Sequence, residues 1–223
     1  MNWSVSALDK ITLISNSDAH SASRLGREAN VFETDLSYNL IIEAIKSKDP
    51  KKFLSTIEFF PEEGKYHFDG HRSCQVVFSP EETKKHKGLC PKCGRPLTIG
   101  VLNRVFELAD RPKGRKPAGA IPFRSLIPLE EIIADALDVG VGTKSVQQVY
   151  KELINRSGNE SKILLESERQ AIESASSRQV AEAVVRVREG KVKILPGYDG
   201  EYGKIEIFSQ GERESFSKQK SLF

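Results

Sequence analysis

The hydrophobic positions of the first 65 residues switch between strand-like and helix-like spacing. Residues 11–14 form a short β-prone run, which predicts a buried strand that ends in a polar loop. Apolar side chains then recur at helical spacing from position 38 to position 45, after a candidate N-cap at Ser37. Residues 53–60 again favour a strand. We therefore expect residues 1–65 to form part of an α/β domain.

The rest of the chain combines a piece rich in His and Cys with several predicted helices. Between residues 66 and 100, the β-like runs are too short to form a core without help from a metal. Helical spacing predicts helices over residues 101–108, 128–138, 145–156 and 174–189. Polar and apolar residues alternate on both sides of PGYDGEYG, which predicts a β-hairpin.

These patterns divide the chain into five predicted segments. The expected order is part of an α/β domain over residues 1–65, a zinc ribbon over 66–100, a helical region suited to DNA binding over 101–190, a β-hairpin over 191–209 and a disordered tail over 210–223.

Composition and charge narrow the class of protein. Of the 223 residues, 38% are hydrophobic, which is enough for real cores and excludes disorder over most of the chain. The net charge of +3 is too small to predict a nucleic-acid partner by itself. No apolar run approaches the roughly 20 residues of a membrane span, and the first ten residues lack the order of a signal peptide. We therefore expect a soluble, cytoplasmic protein with no membrane partner.

The three cysteines favour metal binding over a disulfide framework, because their number is odd and two of them lie in CPKCG. His71 and Cys74 have the same separation as Cys90 and Cys93, and 15 residues lie between the two pairs. This H-x2-C and C-x2-C arrangement is typical of a structural zinc site with four protein ligands. Three other residues are alternatives to His71 as the fourth ligand: His67, Asp69 and His86.

A second candidate metal site is the pair Asp18 and His20, one residue apart after the first predicted strand. A carboxylate and an imidazole in one cleft can bind a divalent cation. Taken alone, the pair favours a turn aspartate beside an exposed histidine over a metal site.

Four longer stretches carry a resemblance to a known family. SNSDAHSASRLGREAN is similar to the last metal-binding motif of the polymerase and histidinol phosphatase (PHP) phosphoesterases. YHFDGHRSC, CPKCGRPLTIGVLNRVFELADRP and REGKVKILPGYDGEYGKIEIF resemble one branch of that family, the endonuclease Q-like proteins, which include relatives fused to a helicase. The resemblance implies an α/β fold: the C-terminal part of a PHP-type (β/α) barrel, then a small zinc ribbon, an α-helical region and a C-terminal β-hairpin.

The resemblance also implies an activity and its residues. Members of the branch cut DNA on the 5′ side of deaminated bases and at abasic sites. Asp18 and His20 would then be ligands of a catalytic cluster of Zn, Mn or Mg, and His71, Cys74, Cys90 and Cys93 would hold structural zinc. Arg24 and Arg27 would lie beside the cleft and bind phosphate, unless they form surface ion pairs with Glu28.

Two further features favour contact with DNA. The loop RPKGRKPAG carries Arg111, Lys113, Arg115 and Lys116, which could bind phosphates or simply be solvated. Gly140, Gly142 and Lys144 lie in a G-x-G turn between two predicted helices. Such turns bind phosphate in helix-hairpin-helix modules, and an ordinary interhelical turn fits as well.

The chain departs from the PHP pattern in its histidines. It has four, none in the H-x-H pair that a PHP active site uses. We therefore expect the C-terminal part of a longer enzyme, inactive alone, that comes either from a truncated reading frame or from a split gene whose N-terminal half is a separate partner chain. The other expected partners are DNA with deaminated bases or abasic sites and a replication protein or helicase. The alternatives are a non-catalytic zinc-ribbon module that binds DNA or a protein partner, and a phosphatase of small molecules.

Overall fold

The computed structural model describes residues 1–213 and residue 216. The chain divides into two compact units. Unit 1 contains Met1–Arg124 and Leu195–Lys204, and unit 2 contains Ser125–Ile194 and the described residues from Ile205 onward. Within the described residues, every helix is too short or too polar to cross a lipid bilayer.

A small sheet of three strands organises the first part of unit 1. β1 (Ala29–Phe32) pairs antiparallel with β2 (Phe53–Glu58), and β5 (Phe123–Ser125) lies on the other side of β2. Helix α1 (Tyr38–Ser47) connects β1 to β2, with Ser37 at its N-cap, as the hydrophobic spacing predicts.

The expected strand over residues 11–14 is wrong. These residues have no regular structure, and they follow two 3₁₀ turns at Asn2–Ser4 and Ser6–Lys10. Directly after this run, the backbone of Ser15 exchanges two hydrogen bonds with the Asn30 side-chain amide, at 2.9 and 2.7 Å, rather than with a neighbouring strand. Within the run, Ile14 is half exposed.

Residues 66–100, which we call the metal module, contain two very short strands and one helix. β3 (Asp69–His71) pairs antiparallel with β4 (Val76–Phe78), and a 3₁₀ turn at Arg72–Cys74 joins them. Helix α2 (Pro80–Lys85) begins with a capping box of Ser79 and Glu82. The buried cluster of this module is only Val76, Cys90 and Leu97, with Cys74 and Phe78 beside it. Helix α3 (Val101–Leu108) follows, at the predicted position.

Five helices make up most of the described part of unit 2. They are α4 (Leu129–Leu137), α5 (Lys144–Ser157), α6 (Glu160–Leu165), α7 (Arg169–Ala175) and α8 (Arg178–Arg188). Their inward faces form a core of fully buried side chains that include Ile132, Leu153 and Val184. α4 and α5 agree with the hydrophobic spacing, whereas α6 was not predicted.

The expected helix over residues 174–189 differs at its start: α8 begins at Arg178, and residues 174–175 belong to the separate helix α7, which was not predicted. Ser176 leaves helical geometry, and the Ser177 hydroxyl accepts a hydrogen bond from the Val180 N–H, which starts α8 anew. A serine at an N-cap favours the start of a new helix over continuation of the preceding one. Its hydroxyl accepts a hydrogen bond from a backbone N–H of the first turn, which has no partner within the helix.

Two short strands follow α8, as the alternation around PGYDGEYG predicts. β6 (Lys193–Leu195) and β7 (Lys204–Glu206) form a two-stranded sheet, and both strands cross from one unit to the other. The expected disordered tail differs at residues 210–213, which form a helical turn. Glu212 there pairs with Arg186, at 2.8 Å. The rest of the expected tail, apart from residue 216, lies outside the described residues.

Candidate metal centre and DNA-contact residues

Four side chains of the metal module converge on one point. One ligand atom from each of His71, Cys74, Cys90 and Cys93 lies within 4.8 Å of all the others. The Cys93 Sγ is 3.4 Å from the His71 Nδ1. Two ligands of one tetrahedral zinc ion, a sulfur and a nitrogen, would be about 3.6 Å apart. All three cysteines are free thiols, so the donor set fits a zinc ion.

Each half of the cluster is a tight turn. In the first half, β3 ends at His71, and the 3₁₀ turn returns the chain to Cys74. In the second half, the Gly94 N–H donates to the Cys90 carbonyl at 2.8 Å, with Gly94 at a φ of +72°. That left-handed conformation is the reason for a glycine after the second cysteine. The Lys92 ammonium joins the halves by donating to the Cys74 carbonyl at 2.8 Å.

The crowded thiols affect one another's protonation. The neighbouring Cys93, together with burial, raises the pKa of the Cys74 thiol to about 11. Burial also acts to raise the pKa of Cys90, yet the backbone N–H groups of Lys92 and Cys93 outweigh it and lower that pKa to about 6. Thiolates packed this closely repel one another, and a divalent cation removes that cost.

The three alternatives to His71 as fourth ligand have other roles. His67 is buried, and its burial lowers the pKa of the imidazole. The Asp69 carboxylate is fully buried and accepts hydrogen bonds from the Gly100 N–H and the Asn103 amide, both at 2.6 Å. His86 stacks on Phe78. Of the four candidates, His71 is the one that lies with the thiols.

Asp18 and His20 do not form a comparable cluster. Both side chains are exposed, and the His20 Nδ1 is 2.7 Å from the backbone carbonyl of Asp18. Among the described residues, the four-residue His and Cys cluster is the one group of three or more candidate ligands, and neither Asp18 nor His20 is part of it. Arg24 is exposed near this pair, and Arg27 is half-buried.

In the basic loop, one arginine forms an ion pair within the protein and three other cationic side chains are exposed. Arg111 forms an ion pair with Asp9 and is largely buried, so it fastens the loop to the second 3₁₀ turn. Lys113, Arg115 and Lys116 are exposed, and the Lys116 ammonium lies 5.7 Å from the centre of the Trp3 ring. The structure thus leaves the last three cations accessible to a phosphate and gives Arg111 a structural partner.

The G-x-G turn of unit 2 is open. Gly140 and Gly142 are exposed, and an added Cβ at Gly142 would meet no atom within 4 Å. Thr143 is the N-cap of α5, but its hydroxyl contacts Ser145 rather than a backbone donor. The first N–H groups of α5 therefore lack a side-chain cap, and the exposed Lys144 is beside them.

Sequence reasoning missed Asp199, which lies close to the metal cluster. Its carboxylate accepts hydrogen bonds from the Arg72 N–H, at 2.6 Å, and from the Thr98 hydroxyl, at 2.5 Å. In the sequence, an aspartate between two glycines of PGYDGEYG indicates a turn and nothing more. A separation of 127 residues from Arg72 leaves no local pattern that could reveal the contact.

Comparisons with known proteins give the geometry its context. The family model of the MJ0043 C-terminal domain matches residues 128–191, which are helices α4 to α8 of unit 2 with the loops between them. Protein MJ0043 of Methanocaldococcus jannaschii is 38% identical over 211 residues, which are 91% of this chain and 26% of that protein. Protein YqxK of Bacillus subtilis is 29% identical over 203 residues, 90% of this chain and 48% of that protein. The chain thus spans half or less of these relatives.

Two solved structures resemble nearly the whole chain. The crystal structure of the lesion-specific endonuclease PfuEndoQ from Pyrococcus furiosus has a TM-score of 0.83 at 32% identity, covering 99% of this chain and 55% of that one. Endonuclease Q in complex with a 27-mer duplex that has an abasic lesion at the active site has a TM-score of 0.77 at 33% identity, covering 94% and 53%. The chain is therefore similar to endonuclease Q in sequence and in fold, over about half of the length of that enzyme.

Proposed function

We propose that this chain is the zinc-binding and DNA-contacting part of an endonuclease Q-like repair enzyme of the PHP class. The observation that supports this most is the agreement of 99% of the chain with PfuEndoQ, at a TM-score of 0.83. In this proposal, the complete enzyme hydrolyses a phosphodiester bond on the 5′ side of a deaminated base or at an abasic site.

The zinc site in this proposal is structural. Four protein ligands fill a tetrahedral zinc ion, so no position remains for water or substrate. The ion would hold together a module whose buried cluster is only three residues, which is too little apolar surface for a stable fold of its own.

The catalytic metals in this proposal need more ligands than Asp18 and His20. Both side chains are exposed, and within residues 1–213 and 216 no third candidate ligand groups with them. Two ligands bind a divalent cation weakly, so we expect no cleavage by this chain alone.

DNA binding in this proposal uses exposed cations on each unit. Lys113, Arg115 and Lys116 on unit 1 can each contact a phosphate, and Arg24 is a further exposed cation there. On unit 2, a phosphate can accept hydrogen bonds from the uncapped N–H groups of α5, with Lys144 beside it.

The first test is metal content, measured by elemental analysis. We expect about one zinc per chain, lost in Cys90→Ser and retained in Asp18→Ala, because one tetrahedral site needs all four ligands. A second metal that disappears in Asp18→Ala would contradict the expected absence of a catalytic cluster in this chain.

The second test is DNA affinity, measured with a fluorescent duplex that contains one abasic site. We expect Lys113→Gln with Arg115→Gln to weaken binding and to reduce the salt dependence by about one unit per lost phosphate contact. Lys51→Gln is the control, because Lys51 is also an exposed lysine and lies elsewhere on unit 1. Equal affinity of the double variant and the wild type would contradict the proposed contact.

One other function has a specific observation in its favour. A non-catalytic zinc module that binds DNA is consistent with the exposure of Asp18 and His20. Nicking assays separate the two functions when this chain is mixed with a protein that carries the missing H-x-H motif. Nicking that depends on Asp18 supports the repair enzyme, whereas Asp18→Ala without effect supports the non-catalytic module.

A further inference from the structure

A loop from the far end of the sequence is built into the metal module. Residues 196–203, which we call the strap, connect β6 to β7 and lie in unit 1. The strap exchanges backbone hydrogen bonds with the chain that leads into the module: Gly197 N–H to Glu62, Gly200 N–H to Lys65, Gly203 N–H to Glu63 and Phe68 N–H to Gly197, all between 2.8 and 3.0 Å. These four backbone hydrogen bonds fix the position of the strap against residues 62–68, which lie directly before β3.

The centre of the strap reaches the metal cluster through Asp199. The Asp199 carboxylate accepts a hydrogen bond from the N–H of Arg72, the residue that follows the ligand His71. Arg72 begins the 3₁₀ turn that ends at the ligand Cys74. The first N–H groups of such a turn have no partner within it, so Asp199 supplies the missing acceptor.

The other oxygen of Asp199 binds the strand that holds the first ligand in place. The Thr98 hydroxyl donates to that oxygen at 2.5 Å. Thr98 and Gly70, the residue before His71, exchange two backbone hydrogen bonds at 2.9 and 2.8 Å. The Asp199 carboxylate thus contacts the residue after His71 directly, and it contacts the residue before His71 through Thr98.

From this geometry we infer that Asp199 is a positioning residue of the zinc site, which sets the direction and spacing of His71 and Cys74. It acts through the backbone of Arg72 and touches neither ligand side chain nor metal. Outer residues that orient metal ligands typically contribute 10- to 100-fold to metal affinity. The inference rests on the four-ligand zinc site proposed above.

Glu201 of the same strap makes a different kind of contact. It forms an ion pair with the side chain of the same residue, Arg72, but both side chains are about half exposed. Exposed ion pairs contribute little, and this one does not hold the backbone. Glu201 is therefore the matched control: it lies in the same strap and contacts the same residue, but it binds the side chain of Arg72 and not the backbone N–H.

The test compares Asp199→Asn with Glu201→Gln in the full chain. Asparagine accepts the positive φ of Asp199, +43°, as readily as aspartate does, so the strap keeps its path while the charge is lost. Two properties are measured: the rate of zinc release to a chromogenic chelator, and the visible absorption spectrum after replacement of zinc by Co²⁺. A merely structural residue would not change the cobalt spectrum of a protein that remains folded.

We expect Asp199→Asn to release zinc about 10 to 100 times faster and to shift the cobalt bands, with Glu201→Gln within about twofold of the wild type. Thr98→Val removes one of the two hydrogen-bond donors to the Asp199 carboxylate and should show the same changes to a smaller degree. This variant replaces Asp199→Asn in the test if Asp199→Asn does not fold. Release rates and spectra of Asp199→Asn and Thr98→Val equal to those of the wild type would overturn the inference but leave the zinc site intact. A wild-type chain that binds neither zinc nor Co²⁺ would overturn the zinc site and the inference together.

Discussion

At the scale of single residues, the metal module contains a glycine whose backbone lies very close to neighbouring segments. An added Cβ at Gly70 would lie 2.3 Å from the Tyr198 ring and 2.6 Å from the Val76 carbonyl. Gly70 is therefore required for close approach between β3, β4 and the strap. Its neighbour in sequence is the ligand His71, so a shift at Gly70 displaces a metal ligand.

We expect Gly70→Ala to lower the free energy of unfolding by about 1–3 kcal/mol, because the added methyl group overpacks a rigid contact. The measurement is denaturant unfolding of the zinc-loaded chain. Gly142→Ala is the control, since Gly142 is exposed and its Cβ would meet no atom within 4 Å, so it should change stability by less than about 0.5 kcal/mol. Equal stability of the two variants would mean that the strap does not pack on Gly70.

A second residue-scale prediction concerns Glu212. Hydrogen bonds from Ser209 and the Arg186 guanidinium lower the pKa of the Glu212 carboxyl from 4.5 to about 2. A lowered pKa in the folded chain means that the ionised form stabilises the fold above pH 4.5, and that this stabilisation disappears as the pH falls to about 2.

We therefore expect Glu212→Gln to be less stable than the wild type at pH 7, and the difference to shrink between pH 4.5 and pH 2. Unfolding curves over this pH range measure it. Glu173→Gln, on an exposed position of α7, is the control. A difference for Glu212→Gln that stays constant with pH would rule out this assignment.

At the scale of elements, α6 depends on a side chain from α8. The Arg188 guanidinium donates to the backbone carbonyls of Ile163, Leu164 and Ser167, at 2.5–2.8 Å. These carbonyls belong to the last turn of α6 or follow it, where the helix itself offers no donor. A six-residue helix is marginal alone, so this cap stabilises it.

We expect Arg188→Lys to lower the free energy of unfolding by about 1.5–3 kcal/mol. The single ammonium group of lysine cannot donate hydrogen bonds to the backbone carbonyls of three different residues at once. Arg178→Lys, an exposed arginine at the start of the same helix, should have almost no effect. Thermal and denaturant unfolding distinguish the two variants. No loss in Arg188→Lys would show that the positive charge at this position is sufficient and that the three hydrogen bonds add no stability.

The elements also show what hydrophobic spacing can and cannot predict. α1, α3, α4 and α5 follow from the spacing because each repeats its apolar positions over two turns or more. α6 and the break at Ser176 depend on contacts between helices and on one cap, which no periodicity reports. The run at residues 11–14 is too short for its spacing to distinguish a strand from an irregular segment.

The candidate site divides in the same way. The spacing of His71, Cys74, Cys90 and Cys93 predicts the cluster because two-residue gaps are a local geometric requirement. The choice of His71 over His67, Asp69 and His86 needed the fold. The roles of Arg111 and Asp199 depend on partners about 100 residues away, beyond the reach of any local pattern.

At the scale of the whole molecule, the metal ligands and the helical core lie in different units. All four ligands are in unit 1, whereas Ile132, Leu153 and Val184 are buried within unit 2. The metal module has almost no buried apolar surface, and unit 2 has a core of its own. Metal loss should therefore affect the units unequally.

We expect a chelator to increase hydrogen exchange at the amides of β3, β4 and the strap, and to leave exchange in the core of α4, α5 and α8 unchanged. Hydrogen exchange followed by mass spectrometry measures both regions in one sample. The Cys90→Ser variant should show the same pattern without chelator. Uniform loss of protection in both units would contradict independent stability of unit 2.

The separation of Asp199 from Thr98 along the sequence has a consequence for the order in which the zinc site is made during translation. The two residues are 101 positions apart, and a ribosome adds about 5–20 residues per second. For about 5–20 s, a growing chain has all four ligands in place while the strap has not yet been made. By the inference above, a metal ion that binds during this interval exchanges faster than one bound after Asp199 has been made.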